Sequence, residues 1–510
     1  MFAKLKKLDL ETSWECKLTL GILLLYIAYG QEVFSYSYNV DDYSQVDYPY
    51  YFGALGRYLQ ELFFNYALSA RFVPFFAFFF GFALIAATCL IFCRTLSLKT
   101  NFSFYILLIF FGLHAGWIDA LNFNTAVIGY PLAGFCSVLA TFLIVRKHQL
   151  LVPAILFWAS LSLYQPYAAA GFILFVALIS KNIIGSKSEF FRKKKNLLVR
   201  YALAVAIGAA AYLISNEIYF VITERINSRV GYISNISEMI SSIESAYRYS
   251  YDNFFPTSEY ISRVSGVISF AIFIIFSGLI IKRALSQGSI ATFITVLLVL
   301  VFPIVPFGAK LPITAGFPLR AQACFGLFVG ACAALVFEAS DWRPLAKWLP
   351  GWISSRSAVL VASVVVFISS WFVITLAFDH QSRIDREDRH VASQILHDVY
   401  LFARANNLPL DRFQIAGRRK GRFQRIGSVA QGAFERTWSA RHIFRHVGFG
   451  GDQGAANISY IERPNVNCTD WPARGSIVAY QGEVLVCLSE FKNETNPDES
   501  GRSNVPEKTN

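Results

Sequence analysis

Two adjacent carboxylates, Asp41 and Asp42, follow the first apolar run of the chain, with Asp47 close behind them. Between water and a low-dielectric phase, one carboxylate can stay ionised while its neighbour is partly desolvated, which suits a general base that takes a proton from an attacking hydroxyl. If the leaving group is a phosphate, cations on the same side must meet the charge that develops on its oxygens. Arg57, Arg71, Lys310 and Arg320 are the candidates, the arginines able to grip a phosphate with two parallel hydrogen bonds and the lysine acting as a point charge. Tyr164 and Gln165 offer a phenol and an amide to hydroxyl groups, and Asp119 and Asn122 are secondary candidates for the same cavity. Plainer roles satisfy the same residues. The aspartates can cap a helix or solvate a loop, the cations can snorkel to an interface, and Pro166 can simply open a new helical turn after a break.

The elements that must position these groups belong to a membrane. The 510 residues are 55% hydrophobic and only 16% charged, with mean hydropathy +0.44, which leaves too little polar surface for a soluble protein. Forty-eight Phe and 25 Tyr suit lipid-facing helices with aromatic belts. A hydrocarbon core about 30 Å thick needs roughly 20 helical residues. Eleven apolar runs reach or approach that length, over residues 18–33, 72–93, 102–117, 126–145, 150–163, 166–179, 198–221, 264–281, 290–304, 321–337 and 359–378. The fifth and sixth are short, and they read equally as a tilted pair or as a re-entrant hairpin turning at Tyr164-Gln165-Pro166. Cations gather in alternate connections, among them Lys4, Lys6, Lys7, Arg146, Lys147, the run Arg192-Lys193-Lys194-Lys195, Lys282 and Arg283. By the positive-inside rule that face, with the N-terminus, is cytoplasmic. Basic residues precede the first apolar run without a small-residue cleavage site after it, so an uncleaved signal-anchor is expected. An odd number of spans sends the chain from Asp379 onward to the opposite side, with the Asp41/Asp42 loop.

Composition divides the chain into a transmembrane domain over 1–378, with long outward loops at 34–71, 222–262 and 303–319, and an outward α/β domain over 379–492. In the first loop, residues 56–64 read as an amphipathic stretch lying along the interface. In the second domain Val391–Leu396 suits a helix leaving the membrane, Phe413-Gln414-Ile415 reads as a strand, and residues 476–480 and 484–488 read as a hairpin joined through Gln481-Gly482-Glu483. Residues 493–510 carry no apolar pattern and read as a disordered tail.

Of eight cysteines, only Cys468 and Cys487 lie in the outward tail and invite a disulfide, the alternative being two buried thiols. No metal site is read from the Cys, His, Asp and Glu spacing, and no cofactor is indicated, although a divalent metal is compatible. Most of the excess positive charge, +12 overall, sits in short topology-setting loops, so no nucleic-acid partner is expected.

The order of Asn39-Val40-Asp41-Asp42, Gly56-Arg57, Ser162-Leu163-Tyr164-Gln165 and the basic third loop resembles the phage-type O-antigen glucosyltransferases of the Gtr type II family. That resemblance implies a GT-C-like, polyprenyl-phosphate-sugar-dependent transferase of the bacterial inner membrane. Its donor would be glucose, or a related hexose, on undecaprenyl phosphate, and its acceptor the lipopolysaccharide O-antigen on the periplasmic side. It further implies that Asp41 or Asp42 is the base of a single displacement, with Arg57, Arg71, Tyr164, Gln165, Lys310 and Arg320 binding substrate. A lipid-linked sugar flippase or transporter and an O-antigen polymerase are the rival readings. The first would require charges near the bilayer midplane, where Glu217 is the exception among ionisable residues that otherwise cluster at span ends.

Overall fold

The computed structural model describes residues 13–39, 41–45, 56–69, 73–185, 195–224, 233–258, 261–312, 317–339, 355–409, 411–419, 429–449, 457–462 and 464–489. Contacts divide the chain into two compact units, the first Met1–Ser37, Gln45–Asp379 and Ile426–Val429, the second Tyr38–Ser44, His380–Arg425 and Ala430–Asn510.

The first unit is helical. Its helices are α1 (Trp14–Phe34), α3 (Tyr58–Leu62, prolonged by a π turn to Ala67), α4 (Pro74–Leu96), α5 (Asn101–Gly112), α6 (Ala115–Leu121), α7 (Gly129–Lys147), α8 (Leu151–Tyr164), α9 (Ala169–Ile184), α10 (Lys195–Thr223), α11 (Ile236–Phe254), α12 (Arg263–Leu285), α13 (Ser289–Val301) and α14 (Cys324–Glu338). Helix α2 (Asp42–Gln45) crosses from the second unit to the first, and α15 (Ser355–Ala405) passes from the first to the second at Asp379. The described residues of the eleven apolar runs lie mainly on helical backbone, the third run being broken at Leu113-His114. Among the described residues nine helices are long and apolar enough to cross a membrane, or up to ten if the bent pair α5 and α6 is one span.

The bend between α5 and α6 is 61°. Its cause is local, because His114 takes extended backbone and its Nδ1 accepts the Gly116 N–H, starting a new helix where the old one ends. Tyr164 interrupts α8 and α9 in the same manner with an extended backbone, φ −162° and ψ 105°, and a 3-10 turn Gln165–Ala168 follows. The rings of Phe157 on α8 and Phe175 on α9 both pack on Tyr201, at 5.8 and 4.1 Å. In one straight helix they would stand about 27 Å apart, so the chain doubles back at Tyr164.

Helix α14 is the axis of this unit, since 94% of its apolar window is buried. Small residues let its neighbours approach: a Cβ at Gly326 would lie 2.4 Å from the Phe110 carbonyl oxygen of α5. Phe75, Phe76, Phe79 and Phe80 on α4 and Val361, Val364 and Phe372 on α15 are instead exposed. Apolar side chains on the outside of a helical bundle are what a lipid-facing surface requires, and the unit is that of a membrane protein.

The second unit joins the polar part of α15 to a four-stranded sheet in the order β2-β1-β4-β3, of β1 (Phe413–Ala416), β2 (Ile458–Ile461), β3 (Ile477–Tyr480) and β4 (Glu483–Cys487). The β3–β4 hairpin turns on Gln481 and Gly482, both with positive φ. Strand β1 runs parallel to β2 and β4, a pairing that β2, four residues long, does not announce in sequence. Cys468 and Cys487 are disulfide-bonded against Ala416 and Leu485. Helix α16 (Thr437–His446) completes the described part of the unit.

Candidate functional site

Five of the residues singled out by sequence, Arg57, Asp119, Tyr164, Gln165 and Arg320, converge in the first unit. Gly56 takes φ +71°, open to glycine, and a Cβ there would lie 2.5 Å from the Tyr212 hydroxyl. Its carbonyl accepts hydrogen bonds from Gln165 Nε2 at 2.9 Å and from Tyr212 Oη at 3.3 Å. The amide of Gln165 therefore holds the backbone that precedes Arg57. Helix α3 is pinned on its other side, with Tyr219 Oη donating to Glu61 Oε1 at 2.7 Å and the Tyr58 hydroxyl bonded to Ser162 Oγ at 2.7 Å. This corrects the expectation of an interfacial amphipathic stretch: Gln60 and Glu61 are buried, at 1% and 7% exposure. The Tyr219 hydroxyl of α10 makes that burial of Glu61 possible.

Held in this way, the Arg57 guanidinium stands over the Tyr164 ring at 4.4 Å, and Nη1 donates to the Tyr130 hydroxyl at 3.4 Å. No carboxylate pairs with it among the described residues, and its buried Nε has no hydrogen-bond partner. Behind Tyr164 lies a stack of rings, Tyr130 at 4.3 Å and Tyr167 at 5.3 Å, with Trp117 at 5.1 Å from Tyr167.

Arg320 reaches the same stack from the other side. Its carbonyl accepts the Tyr167 hydroxyl at 3.1 Å, and its guanidinium lies 4.4 Å over Phe123. Asp119, fully buried, accepts both the Arg320 backbone N–H at 2.9 Å and Nη1 at 3.4 Å. Both arginines and Asp119 act electrostatically on the Tyr164 hydroxyl. Lys310 ends the 3-10 stretch Phe302–Lys310, which packs on the Gln165–Ala168 turn, and its carbonyl accepts from Ser242 Oγ at 2.9 Å. Arg71 lies outside the described residues. A guanidinium over a tyrosine stack, with no carboxylate partner among the described residues, and a second held by Asp119 beside Phe123 can bind a phosphate and offer phenols to neighbouring hydroxyls.

Asp41 and Asp42 belong to the second unit. Asn39 Oδ1 accepts the backbone N–H groups of Asp41 and Asp42, at 2.7 and 3.1 Å, and Asp42 Oδ2 accepts the Asn39 N–H at 3.0 Å. That reciprocal cap buries Asp42 completely, whereas Asp41 keeps partial exposure. The flanking tyrosines are fixed as well. Tyr43 donates to Asp385, Arg389 Nε lies 3.2 Å from Asp385 and stands 4.9 Å over Tyr38, and Gln381 Nε2 donates to the Tyr38 carbonyl at 2.8 Å.

Sequence reasoning missed Tyr130 and Tyr167. A tyrosine within an apolar run reads as a belt or core residue, and only the Tyr164–Tyr167 spacing across a helix break hinted at a cluster. Among the described residues no group of three or more His, Cys, Asp or Glu is arranged to hold a metal ion.

The family model described as Glucosyl transferase GtrII matches residues 32–337, which include every candidate site residue named above. No curated protein and no solved structure matches the chain. With well over half its length matched, the chain belongs to the GtrII glucosyl transferase family.

Proposed function

We propose that the protein transfers glucose, or a related hexose, from a polyprenyl phosphate to the O-antigen glycan of lipopolysaccharide, on the periplasmic face of a bacterial inner membrane. The observation that carries this reading is Arg57, a guanidinium whose described partners are phenols alone. A cation in that state is poised for a phosphate that arrives with substrate and leaves with the lipid. Arg320, steadied by Asp119, supplies a second positive charge, and Lys310 sits on the segment packed beside Gln165.

The reaction is a single displacement. The acceptor hydroxyl oxygen attacks the anomeric carbon, the bond from that carbon to the phosphate oxygen breaks, the electron pair leaves with the polyprenyl phosphate, and the hydroxyl proton passes to a carboxylate. Of the two aspartates we assign the base to Asp41. Asp42 is buried and uses Oδ2 to close the cap on Asn39, which makes it a positioning residue for its neighbour.

The test is full-length protein in lipid bilayers with polyprenyl-phosphate glucose and an O-antigen glycan. The expected result is stoichiometric release of polyprenyl phosphate and glucosylated glycan, reduced about 10²- to 10⁴-fold in Asp41→Asn at unchanged protein abundance. Movement of the lipid-linked sugar across the bilayer with no bond cleaved would sink the transferase reading. Full transfer by Asp41→Asn would sink the assignment of the base.

A further inference from the structure

Gln60 lies one turn beyond Arg57 on α3, almost fully buried, and neither Oε1 nor Nε2 of its amide has a hydrogen-bond partner among the described residues. A buried amide without a hydrogen-bond partner is costly. Gln60 lines a cavity of about 420 Å³, inside the range of roughly 300–1,000 Å³ typical of small-molecule sites. Phe63 and Phe76 supply aromatic walls, and Asn124 and Thr125 supply polar ones. Gly129, also in the wall, packs against the Gln60 side chain, and the next residue, Tyr130, accepts from Arg57. The guanidinium of Arg57, the residue that precedes α3, and the amide of Gln60 within it thus sit three residues apart.

We propose that this cavity takes a hexopyranose ring and that Gln60 determines sugar specificity by reading two vicinal hydroxyls. Turned about its last side-chain bonds from the Gly129 wall into the cavity, the amide donates from Nε2 to one hydroxyl oxygen and accepts through Oε1 from the adjacent hydroxyl. A planar amide presents donor and acceptor side by side, matching a diol in which each group can do both. The apolar C–H face of the ring packs on Phe63 or Phe76. A purely hydrocarbon occupant would offer the amide no hydrogen bond. The inference rests on the hexosyltransferase reading above and names what the cavity recognises. Donor and acceptor both carry such a ring, and the substrate whose KM moves identifies which one occupies the cavity.

The experiment compares full-length wild type with Gln60→Met in lipid bilayers, using polyprenyl-phosphate glucose, the galactose epimer of that donor, and the glycan acceptor. Gln60→Met is expected to melt at or above the wild-type temperature, because it removes an unsatisfied amide at similar volume. It is expected to lose roughly tenfold or more in kcat/KM through the KM of one substrate. If the affected ring is the donor's, the preference for glucose over its epimer narrows too. Wild-type kcat/KM in Gln60→Met overturns the proposal, and so does a lower melting temperature with the KM of both substrates raised alike, which marks a structural role. Absence of transfer by wild type from every lipid-linked hexose removes the transferase reading and this inference with it.

Discussion

The proposed phosphate-binding role of Arg57 depends on a charge with no carboxylate partner among the described residues. Removing a donor aimed at a developing oxyanion costs about 10²- to 10³-fold in rate. Arg57→Ala is therefore expected to lose transfer on that scale while folding normally, since among the described residues the side chain makes one hydrogen bond and one ring contact. Arg57→Lys should recover only part of the rate, because an ammonium cannot form the paired bonds of a guanidinium. Turnover measured at matched protein abundance checks both, and equal rates for lysine and arginine would argue against bidentate phosphate binding. Asp388, on the polar part of α15, is a different case. Burial pushes its carboxyl up to about 7, against the opposing pull of the Ala433 N–H and the charge of Arg419. The folded protein thus holds a proton that the unfolded chain releases between the usual carboxylate range and neutrality, so this group's contribution to stability falls as pH rises through that window. Asn at 388 keeps an acceptor for Ala433 and carries no charge. Asp388→Asn should flatten that decline in full-length protein melted between pH 4 and 8, and an unchanged slope would contradict it. His442, pushed down to about 4 by burial and the nearby Arg441 and Arg445, gives a slope of opposite sign that persists in the variant.

At the scale of elements, the arginine is only as well placed as the short helix that carries it. Helix α3 is five residues long, too short to be stable alone, and its position comes from Tyr58, Glu61 and the Gly56 carbonyl. Any residue other than glycine at 56 meets both the left-handed backbone and the Tyr212 hydroxyl. Gly56→Ala should cost about 1–2 kcal/mol from backbone strain and displace Arg57 as well. The expected signature is a fall in kcat/KM larger than that loss of stability explains, read by melting and kinetics on the same preparation. A purely thermal effect would mean that the Gly56–Gln165 contact does not set the arginine. Part of this was legible beforehand: Gly56-Arg57 and Tyr164-Gln165 were both marked. Their relation was not, because an amide that looks free to bind sugar is spent on a carbonyl 109 residues away.

For the whole molecule, the cysteines report on compartment. Six are free and two are joined, and such a bond persists where the surroundings are oxidising. Denatured protein taken directly from cells should bind six alkylating groups without reductant and eight with it. Eight in both conditions would place residues 468–487 on the reducing side of the membrane and overturn the periplasmic assignment. By itself the sequence determined the membrane class, the run of apolar helices, the β3–β4 hairpin and most of the candidate residues. Hydropathy, turn chemistry and charge bias are properties of short stretches, so they survive without a fold. Tertiary structure decided what those stretches do together. It bent the chain at His114 and doubled it back at Tyr164, assigned Tyr38–Ser44 to the second unit, placed β1 between two parallel partners, and stacked Tyr130, Tyr164 and Tyr167 between the Arg57 guanidinium and the Arg320 carbonyl. Apart from the bend at His114, which its own cap on Gly116 sets, each of these outcomes rests on contacts between residues far apart along the chain, where packing and hydrogen-bond satisfaction select the partner and no local pattern records the choice.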